Sequence, residues 1–187
     1  MKKAILAILL LPMFPATAAA DSPGGQFTVL GGFGESVPGW GATKARVSEA
    51  DMILRYGRVV ADGLGRGWYR TRHRMFIEIP VGLMFEPKTA PILETTFLAC
   101  FESAVPHENC WTPYFMAGGG PIYLGTPIPG MARRLNGSFQ IGAGVRTRNN
   151  NGTAFNFELR AHHVSNASTK KPNDPLNSFK ILAGVTF

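Results

Sequence analysis

The chain has 187 residues, about one domain's worth, with 19 basic and 12 acidic side chains and a formal net charge of +7. Its basic residues are scattered, which argues against a nucleic-acid partner and for attraction to an anionic surface. Beyond the N-terminus no apolar run is long enough for a membrane-spanning helix.

Lys2 and Lys3, an apolar stretch over 4–11 and the small residues Ala18, Ala19 and Ala20 read as a secretory signal peptide covering 1–20. Pro12 and Pro15 cut the apolar run too short for an anchor. Removal of this segment leaves a domain of 167 residues, 21–187, with 17 basic and 12 acidic side chains and a net charge of +5. Export places its cysteines in an oxidising compartment.

Strands are expected near 26–34, 45–59, 68–84 and 92–101, with Glu78 and Glu94 at inward positions and 85–91 as a brief connection. Cys100 and Cys110 flank the polar turn 101–109, and a disulfide closing that hairpin is expected. His107, between them, has no partners at metal-ligand spacing, so neither a metal nor another cofactor is implied. Four more strands follow near 111–120, 137–147, 153–165 and 177–187. The last three alternate plainly: Phe139, Ile141, Ala143 and Val145 against Gln140, Gly142, Gly144 and Arg146; Phe155, Phe157, Leu159 and Ala161 against Asn156, Glu158, Arg160 and His162; Phe179, Ile181, Ala183, Val185 and Phe187 against Ser178, Lys180, Gly184 and Thr186. Asn149-Asn150-Asn151-Gly152 reads as a tight turn.

Strands with charge on one face and hydrocarbon on the other are inside out for a soluble sheet. Eight of them make an all-β fold: an eight-stranded antiparallel transmembrane β-barrel with a polar interior and a lipid-facing apolar exterior, in the bacterial outer membrane. The long connections 35–44, 121–136 and 166–176 then lie outside the cell, and the short turns lie in the periplasm. Inward side chains fill so narrow a barrel, so Glu78, Glu94, Arg146, Glu158 and Arg160 are expected to pair as a plug rather than line a channel. A soluble lipocalin-type barrel would need apolar inward positions, the reverse of this pattern.

An ester-cleaving site needs a nucleophile, a base, a group orienting the base, and donors for the oxyanion. His163 and Ser165 continue the apolar row of the 153–165 strand, so a base and a hydroxyl stand side by side at its outer end, facing lipid. Asn166 follows, where its amide or backbone N–H could meet a developing oxyanion. His162 points inward, and His73 has no nucleophile identifiable beside it.

The run His163-Val164-Ser165-Asn166-Ala167, then Lys171-Pro172-Asn173-Asp174-Pro175 and a final strand ending on Phe187, resembles the C-terminal signature of the outer-membrane lipid A 3-O-deacylases. Trp111-Thr112-Pro113-Tyr114 with Gly118-Gly119-Gly120, and Gln140-Ile141-Gly142-Ala143-Gly144-Val145, resemble that family's fifth and sixth strands more loosely. The resemblance implies a serine esterase that removes the ester-linked 3-hydroxyacyl chain at the 3 position of lipid A, the membrane anchor of lipopolysaccharide. It also implies His163 as general base, Ser165 as nucleophile and Asn166 as part of the oxyanion hole. Two positions depart from the pattern: Asn177 stands where members carry a glutamate that orients the histidine, and Ser168 where glycine is frequent. An amide at 177 can accept the Nδ1–H bond but cannot balance an imidazolium, so an acid restored there is expected to raise the rate.

Arg133, Arg134, Lys170 and Lys171 in the outer loops are expected to meet the phosphates of lipid A, their alternative being plain solvation. The rival to the enzyme is a non-catalytic small outer-membrane barrel, structural or adhesin-like, favoured by the missing acid at 177. The pattern leaves open whether the barrel is a monomer or a homodimer.

Overall fold

The computed structural model describes residues 25–104, 111–148 and 153–187. The expected signal peptide 1–20, the tight turn 149–152 and Cys110 lie outside the described residues. In chain order the strands are β1 (Gln26–Ser36), β2 (Ser48–Leu64), β3 (Thr71–Glu86), β4 (Ala90–Glu94), β5 (Thr96–Ser103), β6 (Trp111–Leu124), β7 (Leu135–Arg148), β8 (Ala154–Ser165) and β9 (Leu176–Thr186), with one short 3-10 turn at Gly67–Tyr69.

Every pairing is antiparallel and between neighbours, and β9 closes the ring onto β1 from Thr28↔Thr186 to Ser36↔Ser178. Closure leaves no sheet edge whose N–H and C=O groups would be stranded in hydrocarbon. β4 and β5 both pair with β3 and with β6, so they form one stave of an eight-stave wall, interrupted at Thr95. Prolines that cannot donate to the ladder, Pro80 in β3 and Pro121 in β6, lie in the stretches facing this break.

The expected 45–59 and 68–84 strands are displaced: beyond Val59, β2 and β3 run on to Leu64↔Thr71 through two of the three register shifts in their pairing. At that end β3 is also paired with β5, up to Thr71↔Ser103, and only β2 beyond Gly57 runs without β1 beside it. The connection expected at 85–91 shrinks to three residues, 87–89, because β3 reaches Glu86 and β4 starts at Ala90.

Side chains alternate as an inverted sheet requires. Phe33, Phe97, Phe139, Phe155, Phe157, Phe179 and Ile181 are exposed on the wall, while Arg55, Glu78, Glu158 and Arg160 are buried inside. Burial of so many charges is sustained by pairing. At mid-barrel, Arg55 donates to Glu78 at 2.7 Å and to Glu158 at 2.9 Å. Arg160 reaches both carboxylates, and the Tyr114 hydroxyl donates to Glu158 at 2.6 Å. Toward the short-turn end, Glu102 takes Arg74 at 2.7 Å and Arg146 at 3.0 Å. Toward the long-loop end, Lys180 meets Glu49 at 2.8 Å and Asp51 at 2.7 Å, and His162 lies 3.4 Å from Glu94.

The interior is not polar throughout. Beneath the long loops sits an apolar plug containing Val47, Met84, Ile92, Leu124, Ile128, Met131, Val164 and Leu176, and a second cluster joins Phe76, Leu98, Cys100, Tyr114 and Met116. The first lies over the charged middle on the loop side and the second next to it toward the short-turn end, so the middle is dry.

The expected Cys100–Cys110 disulfide is not formed: Cys100 is a free, buried thiol. Register explains why. Met116 stands opposite Cys100, and β6 begins five residues earlier at Trp111, roughly 17 Å away along the strand, whereas a disulfide needs Cα atoms within about 7 Å. Cys100 faces the lumen as a small apolar filler.

Candidate active site

β8 and β9 build the site on the outside of the wall. The ladder aligns His163 with Asn177 on β9 and with Phe139 on β7, and Ser165 with Gly137 on β7. All share the outward parity, because a slip by one residue would turn the whole apolar row of β8 inward.

His163 Nδ1 lies 2.7 Å from Asn177 Oδ1. The far side of that amide is also fixed, since Asn177 Nδ2 donates to the Trp40 carbonyl at 2.9 Å. A carbonyl only accepts, so the amide nitrogen must face Trp40 and the oxygen must face His163. His163 Nδ1 is therefore the donor, and in the neutral ring Nε2 is an acceptor with no partner among the described residues, the arrangement a general base requires.

Ser165 is half-buried, two residues and roughly 7 Å of strand from His163. Its hydroxyl makes no hydrogen bond among the described residues, and in unliganded sites such contacts often close only around substrate. Beside it the wall is open: a Cβ on Gly137 would meet nothing closer than the Ser165 carbonyl at 3.7 Å.

Asn166 is buried, and its groups hold the loop together. Its N–H donates to Asn173 Oδ1 at 3.0 Å, its amide to the Lys170 carbonyl at 2.9 Å, and its own carbonyl accepts from the Thr169 N–H at 3.0 Å. This last bond closes a turn whose central residues, Ala167 at φ 50° and Ser168 at φ 59°, are both left-handed, a pair of positions that favour glycine. The backbone N–H groups of Ala167 and Ser168 make no hydrogen bond among the described residues. Ser168→Gly is expected to relieve the strain and, after allowing for the looser unfolded chain, to stabilise the fold by about 0.5–1 kcal/mol. The temperature at which the folded gel band converts to the unfolded one should rise accordingly.

Arg133, Arg134, Lys170 and Lys171 are exposed, as loop cations would be. Their two loops are joined by Ala132 N–H to the Pro172 carbonyl at 3.0 Å, Asp174 N–H to the Gly130 carbonyl at 2.7 Å, and a Met131↔Asn173 bridge. Lys44 adds the 37–47 connection to this group through Asp174 at 3.0 Å. His162 faces the lumen, and His73 packs on Phe101 near the opposite end, so neither joins the site. Sequence reasoning missed Trp40, Thr43 and Asn173; only Asn173 sat in a motif that could have flagged it.

Residues 94–186 match the sequence profile of a family described as Lipid A 3-O-deacylase (PagL). The C-terminal half of the chain belongs to that family. The matched span contains His163, Ser165, Asn166 and Asn177 but not β1, β2, β3 or the 37–47 connection. Among solved structures the chain is similar to the outer membrane enzyme PagL, with a TM-score of 0.58 and 20% identity over 85% of this chain and 97% of that one. It is similar also to Neisserial surface protein A, with a TM-score of 0.55 and 11% identity over 87% of this chain and 96% of that one. No curated protein matches the chain by sequence. The deacylase-family profile and the barrel likenesses together place the protein in the outer membrane, as the inverted alternation requires.

Proposed function

We propose that this protein is a serine-dependent lipid A 3-O-deacylase that works in the outer leaflet. The observation that carries the reading is the 2.7 Å contact between His163 Nδ1 and Asn177 Oδ1, which leaves Nε2 free on the lipid-facing wall beside Ser165. In this reading the long-loop end faces outward. The substrate is already concentrated and oriented in the leaflet, so an open groove suffices without a deep pocket.

Ser165 Oγ attacks the ester carbonyl at the 3 position while His163 Nε2 takes its proton. The tetrahedral oxyanion falls to the turn after Ser165, where the N–H groups of Ala167 and Ser168 are unused and Asn166 keeps one amide hydrogen in reserve. Collapse expels the sugar oxygen, which takes the proton from His163 and leaves an acyl-serine. Water, deprotonated by the same imidazole, then releases the 3-hydroxy fatty acid and restores Ser165. Arg133, Arg134, Lys170 and Lys171 line the loops where the phosphates of lipid A would lie.

Asn177 in place of an acid favours the rival reading of a non-catalytic barrel. Mass spectrometry of lipid A from cells with and without the protein separates the two. Loss of one 3-hydroxyacyl chain only when the protein is present is the expected result, and identical spectra would leave the non-catalytic barrel. Cross-linking in the same membranes would show whether the barrel works as a monomer or a homodimer.

A further inference from the structure

The 37–47 connection lies outside the span that matches the deacylase family, yet three of its residues fasten one residue of the site. Val37 N–H donates to the Asn177 carbonyl at 3.0 Å, and Asn177 N–H donates to Thr43 Oγ1 at 2.9 Å. The third bond is the one from Asn177 Nδ2 to the Trp40 carbonyl. The loop is itself rigid: Trp40 N–H bonds the Val37 carbonyl, Gly39 N–H bonds the Thr43 carbonyl, Thr43 is buried, and the Trp40 ring stacks on Phe179 at 4.7 Å. Gly41 has φ +58°, and a Cβ there would come within 3.1 Å of Asn177 Nδ2, so the loop backbone closes against the amide.

We propose that the 37–43 segment is the positioning element of this site: the Trp40 carbonyl selects an amide at 177 and aims its oxygen at His163, so Asn177 is the matched orienter and not a weakened acid. A carboxylate would set an acceptor against the Trp40 carbonyl where the amide now donates. It would lose that bond, repel the carbonyl and swing away from His163. The expectation that an acid at 177 raises the rate is thereby reversed. This inference rests on the deacylase reading for its catalytic consequence, while the lock on the amide stands on geometry alone.

The test uses the whole barrel, purified in detergent, with lipid A in mixed micelles. Asn177→Asp is expected to lower kcat by at least about ten-fold, with KM little changed, because it disturbs the base and not lipid binding. Thr43→Val removes the acceptor for the Asn177 N–H and should lower kcat several-fold, whereas Thr43→Ser should recover most of it. Nitrogen-15 spectra of the same samples read the lock directly. In the native protein His163 should be the Nδ1–H tautomer and the Asn177 side-chain amide protons should exchange slowly; Thr43→Val should speed that exchange. An Asn177→Asp enzyme as active as the native one, or amide protons that exchange freely in the native protein, would overturn the proposal. Native protein that releases no fatty acid would overturn the deacylase reading instead, and the exchange and tautomer measurements would still decide whether the loop holds the amide.

Discussion

Ser165→Ala is expected to abolish release of the 3-hydroxy fatty acid, a loss of at least about three orders of magnitude, and His163→Ala to do the same. Neither change touches the lumen, so both variants should still enter the outer membrane and migrate differently on gels with and without boiling. The two residues are expected to act as a unit, because the residues opposite them on the ladder, Phe139, Gly137 and Asn177, are neither bases nor nucleophiles. The double variant should therefore be little worse than either single one, and not worse by the product of the two effects. Full activity in either single variant would show that the pair is ordinary interfacial polarity. Activity lost together with gel-shift behaviour would trace the defect to folding and not to chemistry.

The outward placement of His163, Ser165 and Asn177 was legible because alternation is a local property. Once Phe155, Phe157, Leu159 and Ala161 define the lipid face, His163 and Ser165 must lie on it, and the same count from Phe179 puts Asn177 there. The inward positions of Glu158, Arg160 and Arg146 followed for the same reason. The pairing of Arg160 with Glu78 and Glu158 was expected, but the part of Arg55 and of Lys180 was not, since Arg55 to Glu158 spans 103 residues and Lys180 to Asp51 spans 129, separations that only closure of the ring brings together. Cys100 and Cys110 misled because closeness along the chain was taken for closeness in space, while the ladder carries β6 away from Cys100. The lock on Asn177 was illegible for another reason. Two of its three bonds end on or start from the backbone of a loop with no periodicity, and the Trp40 carbonyl is an acceptor that any residue would supply. Adjacency to Ser165 suggested the amide or the backbone N–H of Asn166 as an oxyanion donor; the backbone N–H is held by Asn173, which leaves the side-chain amide as the candidate.

The largest effect on stability is expected from Glu158, which sits fully buried at the centre of the lumen. It accepts from Tyr114 at 2.6 Å and from Arg55 and Arg160 at 2.9 Å each, and with Glu78 it balances those two guanidinium groups. Glu158→Gln keeps the shape but leaves one uncompensated positive charge in a dry interior, at a cost of about 3–5 kcal/mol. Glu158→Ala would add a cavity to the same charge defect. The temperature of conversion from the folded to the unfolded gel band should fall steeply in both variants. A second change tests whether charge imbalance is the cause: replacing Arg160 by Met in the Glu158→Gln background removes the excess cation and should return a large part of the lost stability, a strongly non-additive pair. Equal and additive losses would mean that packing volume, and not pairing, holds the barrel's middle together. At temperatures where both variants stay folded, lipid A deacylation should persist, because Glu158 faces the lumen while His163 faces lipid from the opposite side of the same strand.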